Sequence, residues 1–241
     1  MLTSRTRFLL QRATATTAQR YFNMGTVFGI ENVEEPSFNV LVDRTGVPTT
    51  YQVREYGKRV AIETSMGGVD DNKPFFKLAK YIGVIGEAEN EGKQAMAMTA
   101  PVVMSAGGGG EKIAMTAPVV RTDRVMQFIL PKEYDSKDKA PKPTNNDVIV
   151  KEIPAEIGVV KRYCGSFDAK LCESKAREIA GQLREDGVDL SEEFVTKSHR
   201  FFGYNPPFCL PMFRRNEVWI PLTKKQASQL QSKFPLETAV N

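Results

Sequence analysis

Ala97-Met98-Thr99-Ala100-Pro101-Val102-Val103 returns unchanged as Ala114-Met115-Thr116-Ala117-Pro118-Val119-Val120, with Gly107-Gly108-Gly109-Gly110 between the two copies. Identical runs this close together read as local duplication of one strand and so as a lengthened hairpin. The glycines tolerate positive φ in a flexible turn, and the proline in each copy places it in an edge strand or at a strand end. A phosphate-cradling loop would need Gly-Lys-Ser/Thr at the start of a helix, whereas this run leads into Glu111-Lys112-Ile113-Ala114, a strand pattern.

Outward from the repeat, the chain divides into two halves of the same outline. Before it, alternating patterns around Tyr51 to Tyr56 and Arg59 to Thr64 read as strands. Asn72 to Ile82 then reads as a helix, with Pro74 in its first turn and Phe75, Leu78, Ala79 and Ile82 at helical spacing. After the repeat, Met126 to Pro131 closes the first half. In the second half, Val148 to Ile153 and Ile157 to Tyr163 read as strands. A longer helix follows, capped by Asp168, with Leu171, Lys175, Ile179 and Leu183 on one stripe and Gly187 past its end. His199 to Tyr204 and Glu217 to Leu222 complete it. Each half is ββαββ, which predicts an antiparallel α+β fold with pseudo-twofold symmetry, halves at about 49–131 and 148–222, and one shared core. Residues 132–147 are proline-rich and polar and read as a surface linker.

Composition narrows the chemistry. The 241 residues carry a net charge of +4, and Arg5, Arg7, Arg12 and Arg20 in the acid-free leader 1–24 account for all of it. The body is electrically balanced, so no basic stripe points to nucleic acid. The leader is rich in Arg, Thr and Ala and lacks a secretory apolar region, the composition of an organellar transit peptide. The expected destination is the mitochondrion, with the plastid as alternative. No transmembrane segment is read. Cys164, Cys172 and Cys209 lack zinc or redox spacing, and the single histidine, His199, leaves metal cages and Ser-His or Cys-His couples poorly supplied. Five methionines between Met96 and Met126 read as strand core, with Met96 and Met98 sharing a face.

Taken together, Met24 to Gly29, Tyr51-Gln52-Val53-Arg54-Glu55-Tyr56, Lys80-Tyr81-Ile82-Gly83, the Met-Thr-Ala-Pro-Val runs, Leu183 to Gly187, Gly203-Tyr204-Asn205-Pro206-Pro207 and Arg214 to Trp219 resemble the SOUL haem-binding protein family, especially its plant and algal branch. The resemblance spans residues 25–222 and leaves a tail, 223–241, that reads as a short solvated helix. It implies a distorted antiparallel β-barrel flanked by two helices, with haem or another tetrapyrrole bound non-enzymatically in an apolar cleft beside the first helix, for buffering or transport. The matching positions are Phe75, Leu78, Ala79 and Lys80 on one wall. Tyr204, Phe208, Met212, Arg214 and Arg215 match the other, the arginines being suited to propionates. No histidine stands at a family ligand position: Glu55 takes the place proposed for an axial histidine in one animal branch, and Asn72 replaces a basic residue of another. Binding without a histidine ligand is therefore expected, resting on apolar burial and charge pairing. The glycine run lies near the expected mouth, where a flexible loop would gate entry. Two other readings stay open. One is a hydrolase using Glu55, Glu63 or Glu217 beside Tyr204 and Trp219; the other is an interaction subunit with a vestigial cleft.

Overall fold

Nine strands of this chain form one sheet in which every neighbouring pair is antiparallel. The computed structural model describes residues 33–46, 51–66, 73–105, 125–166, 169–205 and 209–236. The elements are β1 (Phe38–Asp43), β2 (Gln52–Tyr56), β3 (Arg59–Ser65), α1 (Lys73–Tyr81), β4 (Val102–Ser105), β5 (Val125–Ile129), β6 (Ile149–Ile153), β7 (Glu156–Tyr163), α2 (Ala169–Glu185), α3 (Glu192–Ser198), β8 (Arg200–Gly203), β9 (Asn216–Leu222) and α4 (Lys224–Lys233). The leader, Asn72, the glycine run, the second repeat copy, Asp168 and Phe208 lie outside the described residues.

The strand order β1-β2-β7-β9-β8-β4-β5-β3-β6 carries the predicted symmetry. With β1 set aside, exchanging the halves reverses the order onto itself, about an axis between β8 and β4. Within each half, however, the first two strands do not pair with each other. Tyr56 of β2 faces Glu156 of β7, and Arg59 of β3 faces Ile153 of β6. Three residues later on one chain is three earlier on the other, so the register runs on unbroken through the bends at Gly57-Lys58 and Pro154-Ala155. In effect β2–β3 and β6–β7 are two long bent strands paired along their length. That ribbon brings the two ends of the sheet together and rolls it into a distorted barrel.

Side chains alternate across each strand, and the two faces of the sheet collect different clusters. Inward go Tyr56, Ala61, Val103, Val160, Phe202 and Trp219, contributed by both halves. Outward, Val60, Ile62 and Phe128 meet Leu78, Ala79 and Tyr81 of α1. Val53, Val159, Val218 and Ile220 meet Ala176, Ile179 and Leu183 of α2. The halves thus share the barrel interior, while each helix builds its own cluster outside it. Trp219 lies flat over Gly158 of the neighbouring strand, where a Cβ would stand 2.3 Å from the indole ring.

Several expectations change in three dimensions. The strand of the first repeat copy is central, between β8 and β5, and Pro101 just precedes it, which leaves the ladder intact. Met96 and Met98 pack under α1 as expected, from irregular chain rather than a strand. The linker reaches the core: Tyr134 and Ala140 are buried beneath α1, and the Tyr81 hydroxyl donates to the Pro141 carbonyl. The tail is anchored as well. A capping box of Thr223 and Gln226 starts α4, Ala227 and Leu230 are buried against the α2 side, and the Arg44 guanidinium lies 3.9 Å from the Phe234 ring. Strand β1 and helix α3 were not anticipated.

Candidate functional site

Three places hold the residues singled out by sequence: the barrel interior, the exposed face of α1 and the turn between β8 and β9.

At one end of the interior the fully buried Glu217 is ringed by donors. Its Oε2 accepts from Arg54 Nη1 at 2.9 Å and from the Tyr204 hydroxyl at 2.7 Å; its Oε1 accepts from Arg54 Nη2 at 3.3 Å and Arg215 Nη2 at 3.2 Å. Arg215 turns its fork on to Glu35 at 2.8 and 3.1 Å and stacks over the Tyr204 ring at 3.7 Å. Burial by itself would lower the pKa of Arg215; the carboxylate of Glu217, with Tyr204 and Glu35, more than reverses this and holds it above the ordinary arginine value. Burial, then Glu217, pushes the Tyr204 phenol well above its usual range. The network draws Glu35, ahead of β1, onto β2, β8 and β9. Every lone-pair direction of Glu217 is taken, so this carboxylate serves as counter-ion to two guanidiniums. Glu63, also named as a possible base, is buried and bonded to Gln127 at 2.6 Å and Lys151 at 3.3 Å. The inward side chains of both halves meet in one cluster, as in other small barrels.

On α1, Leu78 and Ala79 are fully buried in the cluster beneath the helix. They support the wall; the surface is made by others. Phe75 is half-buried, edge-on to both Phe128 (5.4 Å between centroids) and Phe76 (6.1 Å). Phe76 is 48% exposed, and the helix sets it on one stripe with Lys73, Lys77 and Lys80. Lys80 lies 3.3 Å from Glu89, and Lys77 2.7 Å from Asp147. Sequence reasoning passed over Phe76. Its signal was there: a large ring at the polar phase of an amphipathic helix, between lysines.

The β8–β9 turn carries Met212, 69% exposed, on a 3-10 turn at Pro211–Phe213. Arg214 donates from Nε to the Cys209 carbonyl at 2.8 Å. Tyr204 and Arg215, expected beside these in the cleft, belong to the buried interior network, on the opposite sheet face from Leu78 and Ala79.

His199 is buried, its Nδ1 2.9 Å from the Val195 carbonyl, so the ring ends α3. Among the described residues no cluster of His, Cys, Asp and Glu could hold a metal ion, and no helix is long and apolar enough to cross a membrane. Burial pushes the Cys172 thiol up to about 12; Cys209 is buried too, and Cys164 is exposed. Thiol titration of the folded protein at pH 8 is therefore expected to show one fast thiol, with all three reacting after denaturation. Fast labelling of Cys172 in the native state would contradict its packing. A cavity of about 260 Å³ lies between Glu34, Arg59, Thr99, Ile129 and Tyr134, and one of about 330 Å³ between Glu55, Glu156 and Pro221. Among the described residues, none of those expected in the cleft lines either.

A family model described as SOUL heme-binding protein matches residues 33–221. The chain is 28% identical over 192 residues to human heme-binding protein 2, covering 78% of this chain and 85% of that one. It is 25% identical over 217 residues to the mouse protein of the same name, covering 88% and 97%. Similar solved structures include the EcmrR C-terminal domain, at 16% identity and TM-score 0.45, covering 74% of this chain and 99% of that one. A hydrolase encoded by lin2189 from Listeria innocua follows at 12% identity and TM-score 0.44, covering 73% and 92%.

Proposed function

The chain belongs to the SOUL heme-binding protein family, and on that premise we propose that it binds haem or a related tetrapyrrole without enzymatic turnover, in an apolar cleft beside α1, for buffering or transport within an organelle. The observation that carries this reading is the aromatic and cationic face of α1. Phe76 stands exposed against Phe75 and among Lys73, Lys77 and Lys80, a surface matched to a flat apolar ring with carboxylate arms. Phe75, Leu78, Ala79 and Lys80 form or support this wall; Tyr204 and Arg215 lie in the interior on the other face of the sheet, and Met212 and Arg214 stand on the β8–β9 turn. Phe208 belongs to the same turn by sequence.

Affinity comes from removing the ring from water, at about 25 cal/mol per Å² of apolar surface, and from charge pairing. His199 is committed to α3, so an axial histidine plays no part and the macrocycle, rather than the metal, is recognised. The leader 1–24 delivers the chain to the mitochondrion, or to the plastid. A hydrolytic role is disfavoured because the carboxylate best surrounded by aromatic groups, Glu217, spends its lone pairs on Arg54, Arg215 and Tyr204.

Parallel titrations with haem and protoporphyrin IX test the reading. Saturable one-to-one binding of both with similar affinity is expected, weakened about tenfold or more by Phe76→Asp, a change at an exposed position that leaves the fold intact. Absence of saturable binding would overturn the function; a large preference for the iron form would overturn ligation-free recognition.

A further inference from the structure

The turn between β8 and β9 has a second property, independent of any tetrapyrrole. Leu210, Met212 and Phe213 are 42%, 69% and 43% exposed, with the most exposed at the apex. Large apolar side chains held in water within four residues mark a contact surface when the backbone holds them there. Here it does. Phe213 N–H donates to the Leu210 carbonyl, Arg214 N–H to Pro211, and Gly165 N–H to Pro211 at 2.9 Å. Asn216 Nδ2 donates back to Gly165 at 3.1 Å, joining the turn to the segment between β7 and α2.

Basic residues flank it. The described residues 162–166, 169–172 and 209–216 include Arg162, Lys170, Arg214 and Arg215 and no carboxylate side chain. Glu35 and Glu217 neutralise Arg215. Arg162 and Lys170 are exposed.

We propose that the apex of this turn, Leu210 to Phe213, is a membrane-surface contact that inserts its apolar side chains among the headgroups of an anionic bilayer while Arg162, Lys170 and Arg214 meet the lipid phosphates and carboxylates. A protein partner of ordinary size needs about 800 Å² on each side, in a broad and complementary patch. Three exposed side chains on one short turn offer no such area, but they match the shallow insertion by which peripheral proteins hold to a headgroup layer, with basic residues adding attraction to anionic lipid. The contact goes beyond the tetrapyrrole reading and stands whether or not a tetrapyrrole binds.

The test uses the full chain without ligand and vesicles of mixed phosphatidylserine and phosphatidylcholine, or phosphatidylcholine alone. The basic leader gives a background common to all variants, so the turn itself must report. In Met212→Trp, the new indole is expected to shift its emission to shorter wavelength and to be quenched by brominated acyl chains in the mixed vesicles. The buried Trp219 of the parent chain is unaffected. In Leu210→Asp/Phe213→Ser, both exposed positions outside the expected cleft residues, vesicle affinity is expected to fall about tenfold or more. An unquenched indole at position 212, or equal pelleting of parent and double variant, overturns the proposal. Haem titration of the parent and of Leu210→Asp/Phe213→Ser is a separate readout: loss of vesicle binding with haem binding intact, or the reverse, tells failure of this contact from failure of the cleft.

Discussion

Gly158→Ala is expected to destabilise the fold by about 3 kcal/mol or more, because a single methyl has nowhere to go. A Cβ at Gly158 would stand 2.3 Å from two carbons of the Trp219 ring and 2.7 Å from the Ile220 carbonyl oxygen. Neither neighbour yields easily. Ile220 belongs to the backbone ladder of β9, and Trp219 is fully buried, stacked on Phe202 at 6.0 Å and edge-on to Tyr56 at 5.4 Å. Overpacking a filled core costs about 1–3 kcal/mol where side chains can shift, and more where backbone must. The chain's only tryptophan supplies the readout, since denaturant unfolding followed by Trp219 emission gives the stability and the native spectrum reports the ring's displacement. Trp219→Leu in the Gly158→Ala background, its unfolding followed by far-UV circular dichroism because no tryptophan remains, is expected to recover part of the loss, leaving the clash with the Ile220 carbonyl. A midpoint within experimental error of the parent would mean that Trp219 does not lie against Gly158.

The second large effect is electrostatic. Glu217→Ala leaves Arg54, 8% exposed at its side chain, without its carboxylate in the barrel interior, and takes from Arg215 one of the carboxylates that pair with it. Burial by itself would lower the pKa of Arg54; Glu217 more than offsets it, so the guanidinium depends on this partner. Removing one member of a buried ion pair costs about 3–5 kcal/mol, mostly the desolvation of the charge left behind. Replacing both members, Arg54→Met with Glu217→Leu, is expected to cost much less than Glu217→Ala, since no orphan charge remains. Urea denaturation of the three proteins decides it. If the double replacement is no better than the single, the network is not held by charge compensation. Tetrapyrrole affinity is expected to stay within about twofold in every variant that folds, because the interior and the α1 face lie on opposite sides of the sheet.

The candidate site was partly legible. Periodicity located α1 and its apolar stripe, and the resemblance pointed to that helix and to the β8–β9 turn. Missing was the division of labour within them. Leu78 and Phe75 share a stripe in the sequence, yet one is sealed under the helix and the other is half-buried at its edge. Phe76, off the stripe, carries the exposed ring. Tyr204 and Arg215 look like cleft residues until Glu217, Arg54 and Glu35 are placed around them; those partners lie up to 180 residues away in sequence, and no local pattern records them. Strand β1 and helix α3 were missed because each is short and takes much of its order from packing, against β2 and α2 respectively.

By itself the sequence determined most of the strands and the main helix of each half, and that the halves repeat ββαββ, because these follow from side-chain periodicity within a dozen residues. Only the tertiary structure decided which strand pairs with which. Gly57-Lys58 and Pro154-Ala155 are two-residue connectors, the length of a tight hairpin, yet neither closes one. Each strand runs on through its bend and pairs with its counterpart in the other half, so that one register serves both sides. A hairpin turns its two strands into one sheet region, whereas a bend carries a strand from one end of the sheet to the other and closes a barrel around Trp219. That choice rests on filling an interior with side chains from both halves, a condition no segment of the chain meets alone.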